Sequence, residues 1–337
     1  MNSVGIGVLG AGRIGKVHAD NLVRQISDAT VLGVVGNHRP AAEELAQRLH
    51  ISDVSDNPDI LFDNPDINAV IIASPTDTHA SFIQAAARAG KHIFCEKPID
   101  FDLQRIDRAL QAVSQAGVKF QIGFNRRFDP DFAHVQEQVH RGDIGDPHLI
   151  RISSRDPAPP PIDYIKVSGG LFLDMAIHDF DMARYLAAAE VVSVYATGAV
   201  RIDPAIGEAG DIDTAVTILE FDNGSIATID NSRKATYGYD QRIEVFGSGG
   251  MAWAENNSPH RTGIANADGI HSPRPYTFFM ERYQASYLAE MKSFVHAIQQ
   301  DIPTALDGAD GRASVVIGLA ARLSLQEKRR VFLKELE

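Results

Sequence analysis

Short apolar runs alternate with stretches of helical period through the first third of the chain. Val4–Leu9, Thr30–Val35, Ala69–Ala73, His92–Cys95 and Lys119–Phe124 are apolar along their length, the pattern of strands buried on both faces. Between them Ile14–Gln25, Pro40–Leu49, His79–Ala89 and Leu103–Ala116 repeat apolar residues at three- and four-residue spacing and predict helices. Strands and helices in strict alternation predict a doubly wound parallel sheet of Rossmann type.

Beyond Asn125 the pattern changes. A helix over Asp131–Arg141 leads to strand-like segments at Leu149–Ser154, Val191–Val200, Asp213–Phe221, Ser225–Asn231, Arg242–Phe246 and Met251–Ala254. A helix over Leu171–Ala187 interrupts them. Asn223-Gly224 predicts a tight hairpin, because both residues tolerate positive φ. Residues 256–275 are turn-rich and read as a surface loop or lid. Helices near Arg282–Gln299 and Gly308–Gln326 end the chain. The expected organisation is residues 1–124 as a dinucleotide-binding domain and 125–337 as an α+β substrate and oligomerisation domain. Its sheet is large, open and mainly antiparallel, and its C-terminal helices pack back on the first domain.

Composition narrows the function. With 337 residues, 44% hydrophobic and 23% charged, the chain is of globular type and long enough for two cores. A formal net charge of −12 argues against nucleic-acid or anionic-membrane partners. No apolar run approaches the roughly 20 residues of a membrane helix. Cys95 is the single cysteine, so no intrachain disulfide forms. The chain enters an apolar strand directly after Met1-Asn2-Ser3, and the expected location is cytoplasmic.

The first candidate chemistry lies between the first strand and the first helix. Gly10-Ala11-Gly12-Arg13-Ile14-Gly15 matches G-x-G-x-x-G. Gly10 permits the turn, Gly12 lets backbone approach a pyrophosphate, and Gly15 lets helix and strand pack closely. An acid is expected at the end of the second strand to bind the adenine ribose. That place instead reads Gly36-Asn37-His38-Arg39. Arg39 suits the 2′-phosphate of NADP, whereas Asn37 suits NAD, so both cofactors stay open on these residues. Ser74, Thr76 and His79 follow the third apolar run, at the ligand edge of such a sheet, with Asp77 or Thr78 as helix cap.

Glu96-Lys97-Pro98 ends the next strand at the same edge. Glu96 suits a ribose hydroxyl or another charged group, and Lys97 falls beside the place of a nicotinamide rather than in an ordinary exposed loop. Farther along, Asp174 and His178 stand four apart on a predicted helix and so share a face. Three readings are open for them: a surface pair, metal ligands lacking a further convergent ligand, or an acid–base unit for alcohol oxidation. The third accords best with a dinucleotide enzyme, and no metal is expected. Asn125 and Arg127 lie at the junction of the predicted domains, where a cleft would form. Asp156 and Tyr237 add donors and acceptors suited to a polyol.

Taken together, Gly10–Gly15, Glu96-Lys97-Pro98, Asn125–Asp129 and Asp174-x-x-x-His178 resemble the glucose–fructose oxidoreductase/inositol dehydrogenase family. Ser154–Pro157, Ala235–Arg242 and Glu281–Tyr283 resemble the bacterial inositol 2-dehydrogenases within it. The resemblance spans nearly the whole chain. It implies NAD-dependent oxidation of a hydroxyl of a cyclic polyol, myo-inositol above others, to a ketone. It implies Lys97, Asp174 and His178 as the catalytic trio, with Asn125, Arg127, Asp156, Tyr237 and Tyr283 on other hydroxyls. It further implies a homotetramer built through the second sheet. Gly36, where an acid is usual, leaves room for NADP. The competing expectations are a dehydrogenase of another inositol isomer or an aldose, a related redox reaction such as glycoside cleavage, and a dinucleotide-binding regulator without catalysis.

Overall fold

A computed structural model of the chain describes residues 3–336. It divides into two compact units. The first runs to Phe128 and takes back Ala285–Ala313; the second comprises Asp129–Gln284 and the chain from Ser314 onward.

In the first unit, strands β1 (Val4–Leu9), β2 (Ala29–Val35), β3 (Asp53–Ser55), β4 (Ala69–Ile72), β5 (His92–Glu96) and β6 (Phe120–Gly123) form one sheet. Its order is β3-β2-β1-β4-β5-β6 and every pairing is parallel. The connecting helices are α1 (Arg13–Gln25), α2 (Arg39–Leu49), α3 (Asp59–Phe62), α4 (Thr76–Arg88) and α5 (Leu103–Ala116). β1 and β4 are buried at every residue, as strands covered on both faces must be. β3 and α3 are too short and polar to stand out in the hydrophobic pattern. The order reverses direction at β1/β4, so the C-terminal edges of β1, β4 and β5 form the crevice where ligands bind in such folds.

The second unit begins with α6 (Pro130–His140), and its sheet strands are β7 (Pro147–Arg155), β8 (Val191–Ala199), β9 (Thr214–Phe221), β10 (Ile226–Ser232), β11 (Asp240–Gly247) and β12 (Met251–Ala254). Helices α7 (Ile162–Ile165), α8 (Gly170–Asp174), α9 (Ile177–Ala187) and α10 (Pro204–Glu208) lie between them. A small hairpin, β13 (Ile264–Asn266) with β14 (Gly269–His271), occupies the stretch read as a loop and is exposed throughout. Helices α11 (Phe279–Arg282), α12 (Gln284–Gln299) and α13 (Gly308–Glu327) follow, and β15 (Val331–Phe332) pairs with β8. The sheet order is β12-β11-β7-β10-β9-β8-β15, with β7 and β10 parallel and the other pairings antiparallel. The Asn223-Gly224 hairpin joins β9 to β10, with Gly224 at φ 85°.

Two particulars differ from the sequence reading. The helix expected over Leu171–Ala187 is broken into α8 and α9. The last helices are shared out: Met291, Phe294 and Val295 of α12 join the core of the first sheet, whereas Ile317, Ala320 and Ala321 of α13 join that of the second. Among the described residues no helix is long and apolar enough to cross a membrane.

Candidate active site

The glycine turn after β1 has the shape a dinucleotide requires. Gly10 sits at φ 112°, and a Cβ there would lie 2.3 Å from the Ala73 carbonyl oxygen. A Cβ on Gly15 would lie 1.9 Å from the Gly10 carbonyl, so only glycine lets α1 approach the strand. Gly12 is different: nothing lies within 4 Å of its would-be Cβ. It is the exposed N-cap of α1, and no side chain caps the helix there. The first N–H groups of α1 therefore face open space, the arrangement that receives a pyrophosphate. Arg13 is exposed beside them and Ile14 half-buried. These residues fit the group that the motif predicts.

At the end of β2, Gly36 is buried and Asn37, His38 and Arg39 are exposed. His38 accepts from the Ala41 N–H as N-cap of α2. Arg39 donates to Glu43, one turn along its own helix, at 2.8 Å. A Cβ at position 36 would stand 3.4 Å from the Cβ atoms of Ala11 and Ala42, an ordinary contact. Packing does not forbid a side chain there.

The turns after β4 and β5 are tied together by His79. Its imidazole is 1% exposed, with Nδ1 2.8 Å from the Pro98 carbonyl and Nε2 2.8 Å from that of Ser74. Burial holds its pKa below the usual histidine range. A neutral ring has one N–H, so it donates to one carbonyl at a time. His79 therefore shapes the cofactor edge through the backbone rather than offering a ring nitrogen to a ligand, a correction to its place among the direct contacts. The cap also differs from expectation. Pro75 is the N-cap of α4 without a side-chain cap; the Thr78 hydroxyl turns back to the Pro75 carbonyl and lies 2.7 Å from that of Ser74. Thr76, half-buried, opens the helix.

β5 delivers Glu96 and Lys97 to this edge, both half-buried, before a cis Lys97–Pro98 bond. Glu96 has a side-chain partner within its own unit: its Oε1 lies 2.7 Å from Nε2 of His18 on α1. In the same unit, Asn125 is buried and Arg127 donates to Asp310 at 3.0 Å.

The second unit carries the polar group around Asp174. Asp174 closes α8 and His178 belongs to the first turn of α9, so they do not share one continuous helix. The break is local: the N–H groups of both Met175 and Ala176 bond to the Leu171 carbonyl, so the backbone between the two residues widens into a π-type turn. Leu171, Met175 and Met182 are buried. Tyr164 donates its hydroxyl to Oδ1 of Asp174 at 2.9 Å, and Arg233 reaches Oδ2 at 3.3 Å. Arg233 is 1% exposed and also meets Asp211 at 3.3 Å, which in turn accepts from the Leu171 N–H. Asp174 is thus an acceptor oriented from two sides, by Tyr164 and Arg233. Asp174 and His178 both remain partly exposed.

Other substrate-side residues take separate positions. Tyr237 donates to Asp240 at 2.5 Å and accepts from Arg155 at 3.0 Å. Burial and the bond to Asp240 raise its pKa. Burial alone would raise Asp240, but bonds from Arg242, Tyr237 and Asn256 outweigh it and hold the carboxyl below its usual range. Asp156 exchanges backbone bonds with Ser232 and Ala235, which flank Arg233 just past the end of β10. Tyr283 is 2% exposed, edge-on to Tyr239 at 5.9 Å with Arg282 over its ring. It lies in the core of the unit, which corrects an open substrate-side position for its ring.

Sequence reasoning missed Arg233, Tyr164 and Asp211. A signal existed for Arg233: Ala227, Ile229 and Asn231 point inward along β10, and position 233 continues the series while Lys234 is exposed. Nothing local marks Tyr164 or Asp211, whose bonds to Asp174 and to Arg233 depend on loop paths.

Similarity to known proteins agrees with this geometry. Residues 4–124 match the family described as "Oxidoreductase family, NAD-binding Rossmann fold", and residues 132–253 match the "GFO/IDH/MocA C-terminal domain". The chain is 50% identical over 331 residues to an inositol 2-dehydrogenase of Rhizobium meliloti, covering 98% of this chain and 99% of that one. It is 47% identical over 330 residues to a myo-inositol 2-dehydrogenase of Thermotoga maritima, covering 98% of each. The crystal structure of a scyllo-inositol dehydrogenase from Lactobacillus casei, with bound NAD(H) and scyllo-inositol, superposes with a TM-score of 0.93 at 32% identity, covering 99% of this chain and 100% of that one.

Proposed function

Because this chain belongs to the GFO/IDH/MocA family of NAD-binding oxidoreductases, we propose that it oxidises one hydroxyl of a cyclic polyol to a ketone, with myo-inositol as substrate and position 2 as the site of attack. The observation that carries this reading is similarity at 47–50% identity, along almost the full chain, to two inositol 2-dehydrogenases. NAD is the cofactor, and Gly10, Gly12, Arg13, Ile14 and Gly15 hold its pyrophosphate on the open helix start. Bound NAD supplies the hydride acceptor. In this reading His178 takes the proton of the reacting hydroxyl, and Lys97 hydrogen-bonds the oxygen as negative charge develops on it. Asp174, oriented by Arg233 and Tyr164, accepts from a neighbouring hydroxyl. Asn125, Arg127, Asp156 and Tyr237 bear on the remaining hydroxyls.

NADP is a secondary cofactor in this proposal. Arg39 is 63% exposed in its side chain and its pair with Glu43 is of the weak surface kind, so it is available to a 2′-phosphate. The second reading favoured by a specific observation is a scyllo-inositol dehydrogenase, because one such structure superposes so fully. A homotetramer formed by second copies on the open sheet accords with the apolar rows exposed there, among them Phe246, Leu149 and Ile226 on adjacent strands. A cytoplasmic location accords with a single, fully buried thiol that burial keeps protonated.

One assay panel tests the reading: reduction of NAD and of NADP by myo-, scyllo- and chiro-inositol and by several hexoses. Turnover with myo-inositol and NAD above all other pairs is expected. Absence of nicotinamide reduction with every cyclitol overturns the proposal.

A further inference from the structure

Three ionisable side chains from three elements of the first unit meet beneath the glycine cradle. His18 lies one turn past Gly15 on α1, Glu96 ends β5, and Glu290 comes from the middle of α12. One ligating atom from each falls within 4.8 Å of the other two. His18 and Glu290 are fully buried, while the Glu96 side chain keeps 14% exposure at the cofactor edge. His18 and Glu96 are hydrogen-bonded at 2.7 Å. Both carboxylate oxygens of Glu290 lack a hydrogen-bond partner. Its backbone is held instead, with the Gln121 side chain donating to its carbonyl at 3.1 Å.

A carboxylate at that position would be desolvated, unpaired and beside a second carboxylate, which apolar surroundings do not tolerate. The titratable groups facing it are Glu96 from β5 and His18 from α1. Tyr287 of its own helix covers the other side of the imidazole at 5.9 Å, and β6 contributes the neutral amide of Gln121. Burial pushes the Glu290 carboxyl well above the usual carboxylate range, and the charge of Glu96 pushes it further. A metal is the poorer occupant. The 2.7 Å between His18 and Glu96 is a hydrogen-bond distance, whereas two ligands of one zinc ion stand roughly 3 Å apart or more.

We propose that Glu290 is a proton-binding site coupled to the dinucleotide site. The carboxylic acid form sits uncharged beside the His18–Glu96 pair, and loss of its proton sets a second buried negative charge beside Glu96, against the anionic dinucleotide. Proton and dinucleotide thus favour each other's binding, as reciprocal linkage requires. The proposal rests on the cofactor reading above, and two separate measurements test it.

The first uses the cofactor-free protein labelled at the glutamate carboxyl carbon. Infrared spectra at neutral pH should show the carbonyl stretch of one un-ionised glutamic acid, lost on alkaline titration and missing in E290Q. Absence of that band at neutral pH overturns the proposal. The second is NADH affinity by fluorescence between about pH 7 and pH 10. Wild-type protein should weaken by about fivefold or more across the range, while E290Q, neutral at every pH, should hold a flat profile. Parallel profiles for the two proteins overturn the coupling alone. Failure of the wild-type protein to bind NADH at any pH overturns the cofactor reading and the coupling with it, and failure of E290Q alone overturns the coupling, while the infrared band still decides whether Glu290 holds the proton.

Discussion

The two large sheets are built from similar residues and put to different uses. In the first unit β1 and β4 are buried at every position. In the second unit β9, β10 and β12 alternate buried with exposed, and the exposed positions include Val216, Ile218, Ile226 and Trp253. A sheet covered on both faces has only its strand ends to offer, so its chemistry gathers at Gly10–Gly15, Ser74 and Glu96-Lys97. A sheet with one bare face can present that face, and here the face is apolar in neighbouring rows: Ile218 stands beside Tyr195, and Phe246 beside Leu149. The difference separates a surface suited to a small ligand from one suited to another protein.

The same substitution should break one sheet and spare the other. Ile71→Asp puts an unpaired carboxylate into the two-sided core, at 0% exposure, and should abolish folding, read as loss of soluble protein and of far-UV circular dichroism. Ile218→Asp, at a position 37% exposed, should leave the fold intact and lower the mass measured by light scattering. A folded Ile71→Asp protein, or an unchanged mass for Ile218→Asp, would erase the contrast.

Lys97→Ala, just past the end of β5, and His178→Ala, in the first turn of α9, should each cost roughly 10²-fold or more in kcat with the circular dichroism unchanged. Turnover within a few-fold of wild type would remove the residue from the acid–base assignment. Arg233→Met should have a smaller effect, roughly tenfold to 10²-fold in kcat, because it frees Asp174 and Asp211 from their shared cation without deleting an acceptor. Arg233→Lys should recover part of the loss. An unaltered kcat in Arg233→Met would show that the orientation of Asp174 does not depend on the guanidinium.

The smallest effect concerns stability and pH. The Glu290 carboxyl is raised in the folded chain from its ordinary value of 4.5. Between the unfolded and folded values the native state holds more protons, so stability falls as pH rises through that window. Glu290→Gln removes this term. Its thermal midpoint should match wild type near the ordinary carboxylate range and exceed it by a few degrees in alkaline solution. A constant difference between the two proteins across pH would count against a buried, protonated Glu290.

Much of the first unit was legible because its local signals are strong. Val4–Leu9 and Leu103–Ala116 were read to the residue, and the glycine turn has the φ and close contacts that its spacing requires. The second unit was legible in its strands but not in its polar network. Asp174 and His178 fit helical spacing, and the break at Met175–Ala176 leaves no mark in the hydrophobic pattern. Tyr283 was implied as a substrate contact and lies in a core, since a tyrosine at the start of a helix has no local sign of burial.

Sequence alone determined the parallel sheet, the phosphate cradle and Lys97 at its edge, because each follows from periodicity and from the conformational freedom of glycine over a few residues. Tertiary structure alone decided which charges meet. Arg233 finds Asp174 across 59 positions, and Glu96 finds His18 across 78. Glu290 sits on the buried stripe of α12 among Tyr287, Met291 and Phe294, where the pattern could mark an odd acid but not name its neighbours. Contacts of that range depend on how elements pack, and packing distance is not written in local spacing.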